Sequence, residues 1–413
     1  MLQSALYPKT LKDAPKDEVS VNAKLLIQAG FLSKLMAGVY TYLPLGLMVL
    51  KKIENIIREE MLKAGAAELL MPALHPKENW LKTGRWDTLD VLFRTSSSTS
   101  NNEFALGPTH EEVITPLLAR SSLSYKDLPI NLFQIQHKFR DEKRAKSGLL
   151  RGKEFLMKDL YSFHKDEESS ARYYEKMKIH YKNIFKVAGI GEKTYLTYAS
   201  GGTFSKLSHE FQTITEAGED VIFLCEKCGV AVNDEVKKDY PNCPECGNKN
   251  LRELKSIEVG NIFPLKTKFS VAFDLKFKNE SGKEEYVVMG CYGIGLGRLL
   301  GAIVEVSHDD EGIIWPDSVS PFSVHLIELK GGKVEAGKLY KKLKATGIEV
   351  LYDEREDLSA GEKFSDADLI GIPHRVVVSE KTVKADKFEV KKRGGRKVSL
   401  LAEKELLAYV QKV

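Results

Sequence analysis

Between residues 133 and 164 the chain alternates between apolar and polar positions twice. Phe133, Ile135 and His137 alternate with Gln134, Gln136 and Lys138, and an apolar pattern returns at Phe155, Met157, Leu160 and Tyr161. Period two marks a strand with one buried face, so the two runs predict a hairpin. Its connection, Arg140 to Lys153, is dense in charge and holds one Gly-Leu-Leu-Arg-Gly turn. A loop of that length adds little closure entropy and is usually kept for function.

Elsewhere the period is helical. VNAKLLIQAGFLSKLMAG and PLGLMVLKKIENIIREEMLKAG predict two helices over 21–66. Pro44 opens the second and Gly65 closes it, and Val49, Ile53, Ile56 and Ile57 mark its apolar side. AAELLMPALHP reads as a short strand interrupted by Pro72, which belongs at an edge or an interface. SSSTSNNE (96–103) is a turn between strands. FALGPTHEEVITPLLA runs from a short strand into a helix, with Thr109 and Glu111 at its opening. Residues 167–188 predict a charged amphipathic helix. The strand TYLTYAS ends at Gly201-Gly202, a pair that often marks close approach of backbone to a ligand. FDLKFKNESGKEEYVVMG predicts a hairpin before a strand-to-helix passage at 290–300. After a proline-marked boundary near 315–321, strands FSVHLIEL, IEVLYD and RVVVS alternate with two helices. Strands KFEVKKRG and RKVSLL and a final helix follow, which makes a small α/β domain with a mixed sheet.

A length of 413 residues allows two or three domains. With 43% hydrophobic and 29% charged residues, a folded protein is expected rather than a disordered one. Net charge is only +4, so any nucleic-acid binding must use local basic patches. Residues 381–397 offer one, rich in Lys and Arg, and an exposed charged hairpin would look the same. Residues 1–20 are polar with two prolines, and no apolar run is long enough to span a membrane. A cytoplasmic location with no membrane association is expected. Five cysteines argue against a disulfide scaffold.

Candidate chemistry sits on the hairpin. Arg140 stands where the first strand exits, and its planar fork suits a phosphate or carboxylate. Glu142, two residues on, can accept from an exocyclic amine, and Phe155 can stack on a base. Together they make an ATP site without a glycine-rich phosphate loop; the alternative is a solvated hairpin with charges at its tip. Thr109 is either a helix N-cap, with Glu111 and Glu112 favoured by the helix dipole, or a substrate contact together with Glu111. Arg298 follows Gly293, Gly295 and Gly297 in a Gly-x-Gly-x-Gly-Arg run, where it reaches over a nucleotide from the first helical turn. Cys225-x-x-Cys228 and Cys243-x-x-Cys246 are two knuckles, each followed by glycine, and read as a tetrahedral Zn²⁺ site. Four thiolates leave no open position, so the zinc would be structural.

Phe139-Arg140-Asp141-Glu142, the loop, and Arg151-Gly152-Lys153-Glu154-Phe155 resemble motif 2 of the class II aminoacyl-tRNA synthetases. The wording from Phe139 to His164 resembles the prolyl-tRNA synthetases of bacterial type. The helix, strand and Pro72 resemble motif 1, Gly-Pro-Thr109-His-Glu111-Glu resembles the Thr-x-Glu loop, and Met-Gly-Cys291-Tyr-Gly-Ile-Gly resembles motif 3. Ser208-His209-Glu210-Phe211 matches a further family word, although residues 203–207 are longer than the bacterial pattern. LYDEREDLSAGEKFSDADLIGIPHRVVVS resembles the anticodon-binding domain shared by the prolyl, threonyl, histidyl and glycyl enzymes. The resemblance covers essentially the whole chain.

The resemblance implies an α+β catalytic domain, an antiparallel sheet flanked by helices, at 1–220 and 256–318. A small zinc-ribbon-like insertion occupies 221–255, where many bacterial members carry an editing domain, and a C-terminal α/β anticodon-binding domain occupies 319–413. It implies a homodimer that activates L-proline with ATP and Mg²⁺ and charges tRNA(Pro), without editing of alanyl-tRNA(Pro) in cis. Arg140 would hold the α-phosphate and the proline carboxylate, Glu142 the adenine amine, and Phe155 and Arg298 the two faces of adenine. Arg151 would bind the terminal phosphates of ATP or the tRNA acceptor end. Thr109, Glu111 and Cys291 would select proline. Thr203 is assigned to the ATP site and His209 to the proline site, with Thr203, Ser205 and His209 left as alternatives for substrate contact. The rivals are a class II synthetase for another amino acid such as threonine, a non-catalytic tRNA-binding paralogue, and a zinc-ribbon nucleic-acid module.

Overall fold

In the computed structural model the double alternation is a hairpin: Ile130–Phe139 pairs antiparallel with Glu154–His164, Gln134 opposite Asp159 and Lys138 opposite Phe155. All residues are described except Arg144, Lys146, Thr203, Lys206, Lys412 and Val413. The chain divides into two units, one of Met36–Val39 and Glu54–Ala302, the other of Met1–Leu35, Tyr40–Ile53 and Ile303–Val413.

In the first unit the hairpin lies inside a nine-stranded sheet. Val288–Gly295 pairs with Glu154–His164, and the long strand Arg252–Lys266 pairs with Val288–Gly295. The far edge of Arg252–Lys266 takes both Leu207–Ile214 and Asp220–Cys225. Pairing is antiparallel except where Ala67–Glu68 joins Ile130–Phe139 and Val230–Asn233 joins Thr194–Ser200. The helix Glu167–Val187 covers one face and buries Tyr173, Met177, Tyr181, Ile184 and Phe185, each contributing about 1.5–3 kcal/mol relative to exposure. On the other face Ile114 and Leu118 of the helix Glu111–Ala119 pack with Phe163, Phe269 and Met289. This is the antiparallel, helix-flanked sheet expected.

Three local expectations change. The first helix covers only Val21–Gln28, and FLSKLMAG forms a hairpin, Leu32–Met36 with Val39–Tyr42. Gly30 adopts φ +78°, which ends the helix, and Gly38 at φ +76° makes the turn. The Gly38 carbonyl accepts from the Lys153 amide at 2.7 Å, so a Cβ there would lie 2.9 Å from that nitrogen. Pro72 splits the strand expected at 66–76 into Ala67–Glu68 and Leu74–Pro76, which belong to different sheets. His110, not Thr109, is the N-cap residue of Glu111–Ala119.

In the second unit the strand order is Val350–Asp353, Val324–Glu328, His374–Val378, Phe388–Lys392, Val398–Leu401. The first three are parallel and the last two antiparallel, the expected mixed sheet. Residues 1–4 extend its edge: Leu2 bridges Tyr352, and the Gln3 side chain meets the buried His325 ring at 2.6 Å. Nothing in the polar pattern of residues 1–20 signals that pairing.

Candidate active site

One face of the hairpin's return strand borders a cavity of about 320 Å³. Phe155, Met157 and Asp159 line it from one strand, and Cys291, Gly293 and Gly295 from the next, where Gly293 lies opposite Asp159 and Gly295 opposite Met157. Arg140, Glu142 and Arg151 line it from the loop, Thr109 from the segment before the helix Glu111–Ala119, and Arg298 from the first turn of Leu296–Val306. Segments far apart in sequence therefore meet at one opening, and it holds most of the expected residues.

Arg140 is half-buried, and its guanidinium lies 5.3 Å from the Phe155 ring. Its one side-chain hydrogen bond among the described residues is a long one, 3.5 Å to the Pro108 carbonyl, and no described carboxylate lies within ion-pair distance. Burial and then the nearby Arg298 charge hold its pKa below the usual arginine value. A partly desolvated cation with no counter-ion is an anion site. Arg298 is more engaged: Nε donates to the Leu150 carbonyl at 2.9 Å and Nη1 to the Glu258 carboxylate at 3.1 Å. Arg151 Nε donates to Glu142 at 2.8 Å, and its other arm reaches Glu219 at 3.4 Å.

Thr109 lines the inner wall, whereas Glu111, expected beside it, is not among the lining residues and lies buried at the start of the helix that follows. Thr109 Oγ1 donates to Glu111 Oε2, which Arg85 Nη1 approaches at 3.6 Å. Glu111 is fully buried, and Oε1 makes no hydrogen bond among the described residues. The Cys291 thiol lies beside this carboxylate, and burial together with that charge pushes its pKa well above the ordinary value. Glu112 turns instead to Arg85 at 2.9 Å and to the Thr83 hydroxyl at 2.9 Å. Burial works against the Arg85 charge, but Glu112 and Glu111 outweigh it and raise its pKa. Gly107 fixes the approach to this segment: a Cβ there would lie 2.5 Å from the His75 ring. His75 and His110 both bond the Pro72 carbonyl at 3.1 Å, and burial lowers both pKa values, so both stay neutral.

His209 does not line the cavity. Its ring packs 4.5 Å from Tyr198, Nδ1 bonds the Tyr174 hydroxyl at 2.8 Å, and burial lowers its pKa to about 3. Ser205 Oγ bonds the Leu207 carbonyl at 2.8 Å. Thr203 lies outside the described residues. Conversely, Arg85, Asp159 and Glu258 line the cavity and were not singled out from sequence. Asp159 had a signal: it shares strand parity with Phe155, already a site candidate, and is the charged residue on that otherwise apolar face.

Away from the cavity, the thiols of Cys225, Cys228, Cys243 and Cys246 lie within 4.8 Å of one another. With zinc–sulfur bonds of about 2.3 Å, tetrahedral ligands need sulfurs just under about 4 Å apart. The closest pairs, 225–246 and 228–243, lie at 3.5 and 3.4 Å. The donor set fits Zn²⁺.

Residues 93–307 match the model of the tRNA synthetase class II core domain (G, H, P, S and T), and residues 323–413 match the anticodon binding domain. The proline–tRNA ligase of Anaplasma phagocytophilum is 39% identical over 99% of this chain and 100% of its own length. That of Sulfurihydrogenibium sp. is 36% identical over 96% of each, but the alignment runs over 550 positions, so well over a hundred have no counterpart here. Among solved structures, a Giardia lamblia prolyl-tRNA synthetase in complex with prolyl-adenylate superimposes with a TM-score of 0.78 at 19% identity, covering 94% of this chain and 75% of that one. A Cryptosporidium parvum prolyl-tRNA synthetase complexed with halofuginone and AMPPNP gives 0.78 at 16%, covering 95% and 76%. A class II core, an anticodon-binding domain and near full-length identity to these ligases together place the chain in the proline–tRNA ligase family.

Proposed function

We propose that the chain is an ATP-dependent prolyl-tRNA synthetase that makes prolyl-adenylate and transfers the prolyl group to the 3′ end of tRNA(Pro). The observation that carries this reading is Arg140, half-buried in the cavity wall without a counter-ion among the described residues. In the first step the proline carboxylate attacks the α-phosphate of ATP and pyrophosphate leaves. In the second, a hydroxyl of the tRNA's terminal adenosine attacks the acyl carbon and AMP leaves. Neither step needs a covalent intermediate on the enzyme, so positioning and charge carry both.

Arg140 holds the α-phosphate and the proline carboxylate, Glu142 reads the adenine amine, and Phe155 and Arg298 flank the base. Arg151 takes the terminal phosphates or the tRNA acceptor end. Thr109 and Glu111 receive the secondary ammonium, which has two N–H donors for one hydroxyl and one carboxylate, and Cys291 narrows the pocket. His209 keeps its assignment to the proline site and Thr203 to the ATP site. Glu142 and Glu258 are cavity carboxylates whose hard oxygens suit Mg²⁺ and would hold the ion that neutralises the charge of the triphosphate.

The catalytic domain is assigned to 1–220 and 256–318 and the anticodon-binding domain to 319–413. The zinc-ribbon-like insertion is assigned to 221–255 in place of the editing domain, a reading supported by the extra positions of the longer relatives, and on it alanyl-tRNA(Pro) is not edited in cis. Exposed Leu70, two residues before Pro72, supports a homodimer built on motif 1. No described helix is long and apolar enough to cross a membrane, and the reading places the enzyme in the cytoplasm.

Amino-acid-dependent ATP–pyrophosphate exchange with proline, alanine, cysteine and threonine tests the assignment. Exchange is expected to be strongest with proline. No exchange with any of the four, from folded and zinc-replete protein, would instead favour a tRNA-binding paralogue. Zinc is expected at one ion per chain by elemental analysis. Cys243→Ser should lose it and lower the unfolding temperature by roughly 5–10 °C, taking about 2–4 °C per kcal/mol for a unit of this size.

A further inference from the structure

Behind the Thr109–Glu111 segment runs a buried polar chain that has no part in the reaction just described. Lys138 is fully buried, with Nζ 2.7 Å from Asp159 Oδ1. Asp159 Oδ2 accepts from the Tyr161 hydroxyl and from Gln134 Nε2, both at 3.0 Å. The Tyr161 oxygen in turn accepts from the His110 main-chain N–H at 2.9 Å and lies 3.5 Å from Thr109 Oγ1. Gln134 Oε1 accepts from the Met71 amide at 3.0 Å, which ties in the residue before Pro72. Lys138, Asp159, Tyr161 and Gln134 are each no more than 2% exposed.

An ion pair buried this completely seldom stabilises a fold more than apolar residues of the same size would. What it does here is distribute charge along the pocket wall. Three carboxylates are concerned: Asp159 in the cavity lining, and Glu111 and Glu112 buried in the helix that follows Thr109. Glu112 is taken by Arg85 and Thr83, and Asp159 by Lys138. Of these, Glu111 alone keeps a buried oxygen, Oε1, that meets no N–H or O–H donor among the described residues; the Cys291 thiol lies against the same carboxylate.

We propose that Lys138 is a positioning residue for proline. By neutralising Asp159 it leaves Glu111 as the one carboxylate open to the substrate's ammonium. Through Asp159 and Tyr161 it also holds the His110 N–H, and with it the placement of Thr109 and Glu111. This rests on the proline activation proposed above.

Without Lys138, Asp159 is a buried charge with no counter-ion and competes with Glu111 for the ammonium. An asparagine at 159 would still accept from Tyr161 and Gln134 while carrying no charge. The neutral pair should therefore restore what the single change removes.

Exchange kinetics on the full chain test this. Wild-type exchange with proline comes first, since its absence would reject the activation reading and not this inference. Lys138→Met is expected to raise the proline KM at least tenfold with the ATP KM within twofold, and Lys138→Met/Asp159→Asn to recover most of it. Tyr161→Phe should raise the proline KM in the same selective way with the fold kept, as judged by circular dichroism and thermal unfolding. A folded Lys138→Met with wild-type proline KM, or one whose ATP KM rises in step, would overturn the proposal. Failure of Asp159→Asn to rescue it would do the same. Should Lys138→Met not fold, Tyr161→Phe decides alone: an unchanged proline KM rejects the positioning chain.

Discussion

Arg140→Ala is expected to abolish proline-dependent ATP–pyrophosphate exchange, a loss of at least about three orders of magnitude, while the unfolding temperature moves by no more than a few degrees. The two halves of this expectation come from one observation. The guanidinium is half-buried, loses solvation, and among the described residues has a single 3.5 Å hydrogen bond to a carbonyl in return. Such a group contributes little to the folded state, and its removal leaves no buried partner unpaired. During the reaction the same group would face the α-phosphate and the proline carboxylate, where negative charge concentrates. Removing one preorganised donor from a developing anion typically costs about 10²- to 10³-fold, and Arg140 offers a charged fork. Exchange assays paired with thermal unfolding separate the two effects. Retained exchange would remove Arg140 from the chemistry. Lost exchange with a collapsed unfolding temperature would make it a structural residue.

Glu111→Gln should lower kcat/KM for proline by about two to four orders of magnitude and leave the ATP KM unchanged. Glutamine keeps the side chain's shape and can still accept from Thr109 Oγ1, so what is lost is the charge on a fully buried group. Breaking a buried ion pair by removing one member costs about 3–5 kcal/mol, and about 1.4 kcal/mol corresponds to tenfold. Arg85 limits the damage to the fold, because its close carboxylate is Glu112 at 2.9 Å, with Glu111 at 3.6 Å. Steady-state kinetics at varied proline and at varied ATP distinguish the readings. A loss shared equally between the two substrates would mean that Glu111 supports the cavity as a whole rather than the ammonium.

Spacing along the chain was sufficient for several parts of this protein because they are local. Period-two alternation placed both strands of the hairpin, Pro44 and Gly65 marked the long second helix, and two Cys-x-x-Cys turns brought four thiols to one point. Short words carried the catalytic candidates, since Thr109 and Glu111, or Arg140 and Glu142, lie two residues apart and move together.

Tertiary structure decided how charge is shared, and that depends on register and long side chains meeting across strands. Asp159 is a charged residue on a strand face that otherwise carries Phe155, Met157 and Tyr161, and spacing alone gives it no partner. Only the pairing that sets Gln134 opposite Asp159 brings the Lys138 ammonium to it and buries both. Arg85 stands in a polar stretch with no motif, yet it selects Glu112 over Glu111 and so decides which carboxylate keeps an open oxygen. His209 belongs to a family word, but packing against Tyr174 and Tyr198 turns it away from the cavity lining. The hairpin at Leu32–Tyr42 overrode a helical period because glycines at 30 and 38 take left-handed φ values there. Which residues occur near one another in sequence sets what chemistry is available; which of them are left unpaired after folding sets where a substrate can bind.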